Sequence, residues 1–242
     1  MDRNIKYDFN LEKYDCKANE NILNYVICST PRSGSTLLAK GLQSTMLAGL
    51  PHEYFNVEHK KDYLNRWQFK SNIEYIEKLK KNRVTPNGTF GFKLHYNQYE
   101  QEFEDRRLED CFGNLRYIFI TRNDKIFQGI SLEKADQTNK WSSEFVSNKK
   151  AIFNFKNIKK NISIICNQEK KWKDYFTQYN IDPFVIEYEE LSSNYEEVII
   201  STLNYLGINI KTKIAPPQIR KQGNLSNLIW KYLYLTINKL KK

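Results

Sequence analysis

Tyr25-Val26-Ile27-Cys28-Ser29-Thr30-Pro31-Arg32-Ser33-Gly34-Ser35-Thr36-Leu37-Leu38 is an apolar run that turns through a short polar loop into an apolar-periodic segment. It reads as strand, loop and helix. Val26, Ile27 and Cys28 suit a buried strand, Pro31 and Gly34 permit a sharp turn, and Leu37, Leu38, Gly41 and Leu42 give the next helix one packing face. Backbone N–H groups of such a loop and of the helix start face one point. Together with the positive end of the helix dipole they favour a bound phosphate or sulfate by roughly 0.3–2 kcal/mol before any side-chain charge is added. Arg32 supplies that charge, and Ser33, Ser35 and Thr36 add hydroxyl donors. The plainer alternative is a ligand-free strand–turn–helix. The stretch is not a GxxxxGK[ST] nucleotide loop, because Ser35 and not lysine follows Gly34.

Outward from this stretch, the 242 residues suffice for one α/β domain over 1–242, with 1–23 a polar lead-in with a mobile start and 212–242 a tail ending in a helix. The expected architecture is a central, mostly parallel sheet with helices on both faces and ligand at the carboxyl ends of the strands. A net charge of +10 favours anionic partners. Nucleic acid is disfavoured as that partner, because the basic residues are scattered and no zinc-finger, RRM or helix-turn-helix pattern occurs. Cys16, Cys28, Cys111 and Cys166 form no C-x-x-C pair and no metal-ligand cluster is visible, so no metal is expected. Without a signal-peptide pattern, and with no apolar run near the ~18 residues of a membrane span, a cytoplasmic protein with reduced thiols is expected.

Residues 49–58 form a loop, since Gly49 and Pro51 block helix continuation, and they present Glu53 near the carboxyl end of the sheet. One or two amphipathic helices are expected over 59–81 and a turn at Pro86-Asn87-Gly88. Phe90 to Tyr96 alternates as a strand, with Lys93 and His95 on the face opposite Phe92 and Leu94. Arg116 to Arg122 is a β-branched and aromatic strand ending in a cation. Asn123-Asp124 caps the helix behind it, which carries Ser131 and runs towards Trp141. Residues 142–158 could cover a substrate cleft or a subunit contact, leaving a homo-oligomer open. Further on, the pattern predicts a helix from Ile158 to Tyr179, a strand over Phe184–Glu189 and a helix from about Tyr195 to Leu206. For the basic final segment, Trp230 to Lys242, the expectation is a packed helix with a charged outer face, with peripheral membrane contact as the alternative.

The loop Pro31-Arg32-Ser33-Gly34-Ser35-Thr36 resembles the P-[RK]-[ST]-G-[ST]-[ST] loop of sulfotransferases that use 3′-phosphoadenosine 5′-phosphosulfate (PAPS). Gly49-Leu50-Pro51-His52-Glu53-Tyr54-Phe55 is similar to the G-x-P-x-E-[YF]-F segment of the bacterial trehalose 2-sulfotransferase branch. The register of Arg122-Asn123-Asp124-Lys125-Ile126-Phe127-Gln128-Gly129-Ile130-Ser131 also follows that branch. The resemblance implies that Arg32 with Ser33, Gly34, Ser35 and Thr36 binds the 5′-phosphosulfate. It implies that Arg122 and Ser131 grip the 3′-phosphate, and that the late basic residues Arg220 and Lys221 come over the nucleotide. Taken alone, Arg122 would be a surface salt-bridge partner. Tyr188-Glu189-Glu190-Leu191 looks like the Y-E-[DE]-L strand end of the family, where the acids are largely structural. Lys93 lies where the branch has a G-x-[KR] strand, without a fixed role.

Sulfuryl transfer to an alcohol is in line, so charge grows on the leaving phosphate, where Arg32 and the loop donors stand. The acceptor hydroxyl must lose a proton, and Glu53, matching the family's catalytic base, is the candidate. His52 and His95 are rivals, since neutral imidazole titrates near working pH. The implied acceptor is a hydroxyl of a carbohydrate or glycolipid. Two other readings stand beside this one: an ATP-dependent phosphotransferase, for which the loop lysine is missing, and a basic anion- or glycan-binding α/β protein without catalysis.

Overall fold

The computed structural model describes Asp15 and residues 23–141, 147–210, 213–217 and 225–240. Strand β1 (Leu23–Ser29) lies between β2 (Thr89–His95) and β3 (Leu115–Thr121), and the short edge strand β4 (Phe184–Glu187) follows β3, giving the order β2-β1-β3-β4. All three pairings are parallel, with Ile27 opposite both Lys93 and Ile118, and Ile120 opposite Ile186. Parallel strands buried on both faces need apolar residues at nearly every position, which accounts for the unbroken run at the centre of β1.

Alternation divides the core into two layers. Tyr25 and Ile27 point to the face covered by α1 (Ser35–Ser44) and α9 (Tyr195–Tyr205), against Leu38, Leu42, Ile199 and Leu203. Val26 and Cys28 point to the opposite face, where Phe92, Leu94 and Phe119 join an aromatic core. That face is covered by α2 (Val57–Trp67), α3 (Asn72–Asn82), α4 (Tyr96–Phe103), α5 (Glu109–Phe112) and α7 (Phe155–Gln178). The expected strand alternation at Lys93 and His95 is what the structure has. The pair α4 and α5 had no counterpart in the sequence reading; His95 begins α4 through a capping box with Gln98.

The chain after β4 departs from expectation. The strand stops at Glu187 rather than Glu189, and α8 (Tyr188–Ser193) begins at once. There Glu189 accepts from the backbone N–H groups of Asn123 and Asp124, at 3.1 and 3.2 Å, and so fixes the start of α6 (Lys125–Thr138). Asp124 caps α6 by accepting from Phe127 N–H at 3.0 Å. The final helix, α10 (Leu225–Leu240), seats Trp230 and Tyr234 against Ile130 of α6 and Ile158 of α7. Its outer face is apolar, not charged as expected. Apolar residues occur on every side of this helix, and only a narrow stripe fits against α6 and α7, so Leu225, Leu228 and Tyr232 are left outside.

Candidate active site

Strands β1 to β3 end on one edge of the sheet, and the loop after β1 turns there. Arg32 takes a positive φ of 63° and Gly34 one of 95°, which aims the chain back into α1. Gly34 is required twice: a side chain would be strained at that φ, and its Cβ would stand 2.5 Å from the Tyr188 ring. Helix α1 starts at Gly34 without a side-chain cap. Its first inward N–H bonds belong to Leu37 and Leu38, both donating to the Gly34 carbonyl, so the N–H groups of Gly34, Ser35 and Thr36 have no acceptor among the described residues. Ser33 Oγ is buried among them, also without a hydrogen-bond partner.

Neighbouring elements hold the loop from behind. Gln128 of α6 donates to Thr30 Oγ1 at 2.9 Å and to the Pro31 carbonyl at 2.8 Å, and Trp172 of α7 donates to the Ser29 carbonyl at 3.0 Å. Sequence reasoning missed both supports. Gln128 lies one helical turn before Ser131, a spacing that places the two on one face of α6 and could have revealed it. Trp172 gave no signal beyond an ordinary core position.

Two guanidinium groups converge on the loop. Arg32 Nε donates to Ser131 Oγ at 2.9 Å, and the same side chain donates to the Trp141 carbonyl. Arg122 donates to the Arg32 carbonyl at 3.4 Å and lies over the Tyr188 ring, 4.5 Å from its centroid, with its Nε buried and unpartnered. The two expected anion grips therefore adjoin, and Ser131 is paired with Arg32 here. Burial, then the neighbouring Arg122 charge, pushes the Arg32 guanidinium down to about 10. Arg122 is lowered by burial, against the opposing pull of Tyr188, Glu189 and Asp124. Two partly desolvated cations this close repel each other, and an anion between them would relieve that repulsion.

Glu53 stands on the other side of the loop. Residues 49–55 are pinned by Gly49, whose N–H reaches Thr85 Oγ1 at 3.1 Å, by the His52 carbonyl accepting from Lys93 N–H at 2.9 Å, and by the buried Tyr54 and Phe55. Glu53 Oε1 lies 2.8 Å from Lys93 Nζ and 3.5 Å from His95 Nε2, and Oε2 accepts from Gln98 Nε2 at 3.3 Å. Lys93 Nζ also donates to Thr36 Oγ1 at 2.8 Å, so one ammonium group joins the anion loop to the carboxylate. Burial raises the Glu53 carboxyl, but the charges of Lys93 and His95 outweigh it and hold the group well below the usual carboxylate range. With its side chain 20% exposed, this ionised carboxylate still reaches solvent.

Of the rival bases, His95 places Nδ1 2.9 Å from Ser29 Oγ and Nε2 towards Glu53, which makes it a neighbour of the carboxylate. The His52 ring packs against His59 at 4.4 Å; burial, then the nearby His59 and Lys93, lower it well below the ordinary imidazole value. Arg220 and Lys221 lie outside the described residues. No group of three His, Cys, Asp or Glu side chains placed to hold a metal occurs among the described residues, and no helix there is long and apolar enough to cross a membrane.

A family model described as Stf0 sulphotransferase matches residues 24–235. Trehalose 2-sulfotransferase of Mycolicibacterium smegmatis is 26% identical over 253 residues, covering 85% of this chain and 92% of its own. The protein of that name from Mycobacterium tuberculosis is 26% identical over 247 residues, with 85% and 92% covered. A solved sulfotransferase from Alicyclobacillus acidocaldarius shares the fold with a TM-score of 0.50 at 11% identity, over 89% of this chain and 92% of that one. The family match spans the sheet, the anion loop and the Glu53 segment together, and on it the chain belongs to the Stf0 sulphotransferase family, a family of sulfuryl-transfer enzymes.

Proposed function

We propose that this enzyme moves the sulfuryl group of PAPS to a hydroxyl of a carbohydrate or glycolipid acceptor, with Glu53 as general base. The observation that carries the reading is the convergence of open donors, the N–H groups of Gly34, Ser35 and Thr36 with the buried Ser33 Oγ and Arg122 Nε, beside two adjacent guanidinium groups that already bond to protein. Adjoining donors of this kind suit the anionic groups of a nucleotide. PAPS supplies a sulfuryl group attached to a phosphate that can leave.

Arg32, Ser33, Gly34, Ser35 and Thr36 would hold the 5′ anion, with their donors fixed in place before reaction. Preorganised donors of this kind stabilise charge that develops on a leaving oxygen, and losing one costs about 10²–10³ in rate in other enzymes. Arg122 and Ser131 would hold the 3′-phosphate, with Arg32 bridging to them. Glu53 takes the acceptor's proton on its carboxylate as the new oxygen–sulfur bond forms. The low-lying Glu53 carboxyl is ionised at neutral pH, and Lys93, bonded to both Thr36 and Glu53, keeps base and anion loop in register. The curated relatives are named for trehalose, which supports a sugar hydroxyl as acceptor.

Calorimetric titration with 3′,5′-adenosine bisphosphate, beside ATP with magnesium and AMP, on wild type and Arg122→Ala tests the reading. Tight binding of the bisphosphate alone, weakened by the substitution, is the expected result. No binding of the bisphosphate would refute it, and preference for ATP with magnesium would favour phosphoryl transfer.

A further inference from the structure

Helix α10 has two unlike sides. Asn227, Trp230 and Tyr234 are buried, while Leu225, Leu228, Ile229, Tyr232, Leu235 and Leu240 are each more than a third exposed and line the outward side. Nearly half of the large apolar side chains exposed among the described residues sit on this one helix. A surface so concentrated marks a contact site.

Charge identifies the partner. Residues 198–242 contain eight Lys and Arg and no Asp or Glu, so this last stretch carries eight of the ten net positive charges of the chain. Within α10, Lys231 is committed to Asp124 at 2.7 Å, whereas Lys239 is exposed beside the apolar residues, and Lys241 and Lys242 follow in sequence. A second copy would bring a chain end of the same sign against this one. An aqueous polyanion would leave the leucines unused. A bilayer surface rich in acidic headgroups takes both, with leucine, isoleucine and tyrosine entering the interface and lysine facing phosphate.

The helix is also anchored for such a role. Lys134 of α6 donates to Ser226 Oγ at 2.6 Å and to Asn227 Oδ1, and its ammonium lies 4.5 Å from the centre of the Trp230 ring. These contacts use the inner side and leave the outer side exposed. We infer that the outer face of α10 docks this enzyme on an anionic membrane surface, lying in the interface without crossing it.

Vesicle flotation of the full-length chain tests this independently of any activity. Vesicles of phosphatidylcholine alone are compared with phosphatidylcholine mixed with phosphatidylglycerol, at low and high salt. Binding is expected on the anionic vesicles and should fall as salt rises. Combined Leu228→Ser, Ile229→Ser and Tyr232→Ser should weaken it at least tenfold, as an order-of-magnitude estimate from lost apolar burial, with bisphosphate binding and thermal unfolding unchanged. Each of Lys239→Gln, Lys241→Gln and Lys242→Gln should lower the partition about fivefold. Equal flotation on both vesicle types, or unchanged binding by the serine variant, would overturn the inference. So would a concentration-dependent dimer, seen by sedimentation velocity, that the serine variant abolishes, since that would assign the face to a second copy.

Discussion

Gly34→Ala probes how the anion loop is built. At φ 95° a residue with a Cβ is destabilised by roughly 1–2 kcal/mol. The new Cβ would also lie 2.5 Å from Tyr188 Cδ2 and 3.3 Å from Cε2, so the ring must move, and overpacking of this kind costs about 1–3 kcal/mol. The total, about 2–5 kcal/mol, corresponds to a fall in Tm of roughly 4–20 °C for a chain of this size. Because the same ring carries Arg122, bisphosphate affinity should fall more than tenfold, an order-of-magnitude expectation for losing a charge-assisted contact. Urea unfolding of Gly34→Ala, Tyr188→Ala and the double variant separates the two parts. Removing the ring relieves the clash and leaves the backbone strain, so the cycle should show a coupling of about 1–3 kcal/mol. A single variant destabilised by less than about 0.5 kcal/mol, or one binding the bisphosphate as wild type does, would refute this account of the loop.

Lys93→Met should move the acid limb of the kcat/KM–pH profile upward, because burial of Glu53 then acts without the opposing ammonium charge; an unmoved limb would argue against Glu53 as base. The sign for stability follows: a carboxyl depressed on folding contributes stability fully above the unfolded carboxylate range, and that contribution is lost as pH falls through the lower folded value. The variant, left with only the His95 contribution among the close partners, should show a weaker acid-side slope in ΔG, measured by urea unfolding at several pH values. Gln128→Ala leaves Thr30 Oγ1 and the Pro31 carbonyl without their donor and should destabilise by about 1–3 kcal/mol, with a raised KM for PAPS. Bisphosphate at about a hundred times its Kd should stabilise the protein by about 2.7 kcal/mol, and Arg122→Ala should lose most of that gain in a thermal-shift measurement.

The centre of the fold was legible because β1, β3 and the strand at 89–95 carry patterns that local chemistry dictates: unbroken apolar runs and a clean alternation around Lys93. Gly34 and Gly49 marked the two loops that matter, and Asp124 announced the start of α6 through its capping side chain. What escaped was set by tertiary contact. Gln128 and Trp172 hold the loop through partners 98 and 143 residues away. The Lys93 ammonium joins Thr36 to Glu53 only because β1 and β2 end side by side, which no spacing along the chain reveals. Strand β4 was read two residues too long because Tyr188 and Glu189 suit a strand as well as a helix start; their contacts with Gly34, Arg122 and the Asn123 and Asp124 amides decide between the two. The outer face of α10 was misjudged because helical periodicity gives the direction of the buried stripe, whereas its width depends on how closely α6 and α7 approach.

Sulfuryl transfer from PAPS with Glu53 as base is the proposed step on which the other roles depend. It is tested most directly by incubating wild type and Glu53→Gln with radiolabelled PAPS and a panel of mono- and disaccharides, trehalose among them, and measuring label transferred to sugar. Transfer by wild type is expected, with a kcat about 10²–10⁴-fold lower in the variant and bisphosphate affinity nearly unchanged. Transfer by Glu53→Gln at the wild-type rate would contradict the assignment of the base, and absence of transfer to any sugar by the wild-type enzyme would contradict the acceptor class.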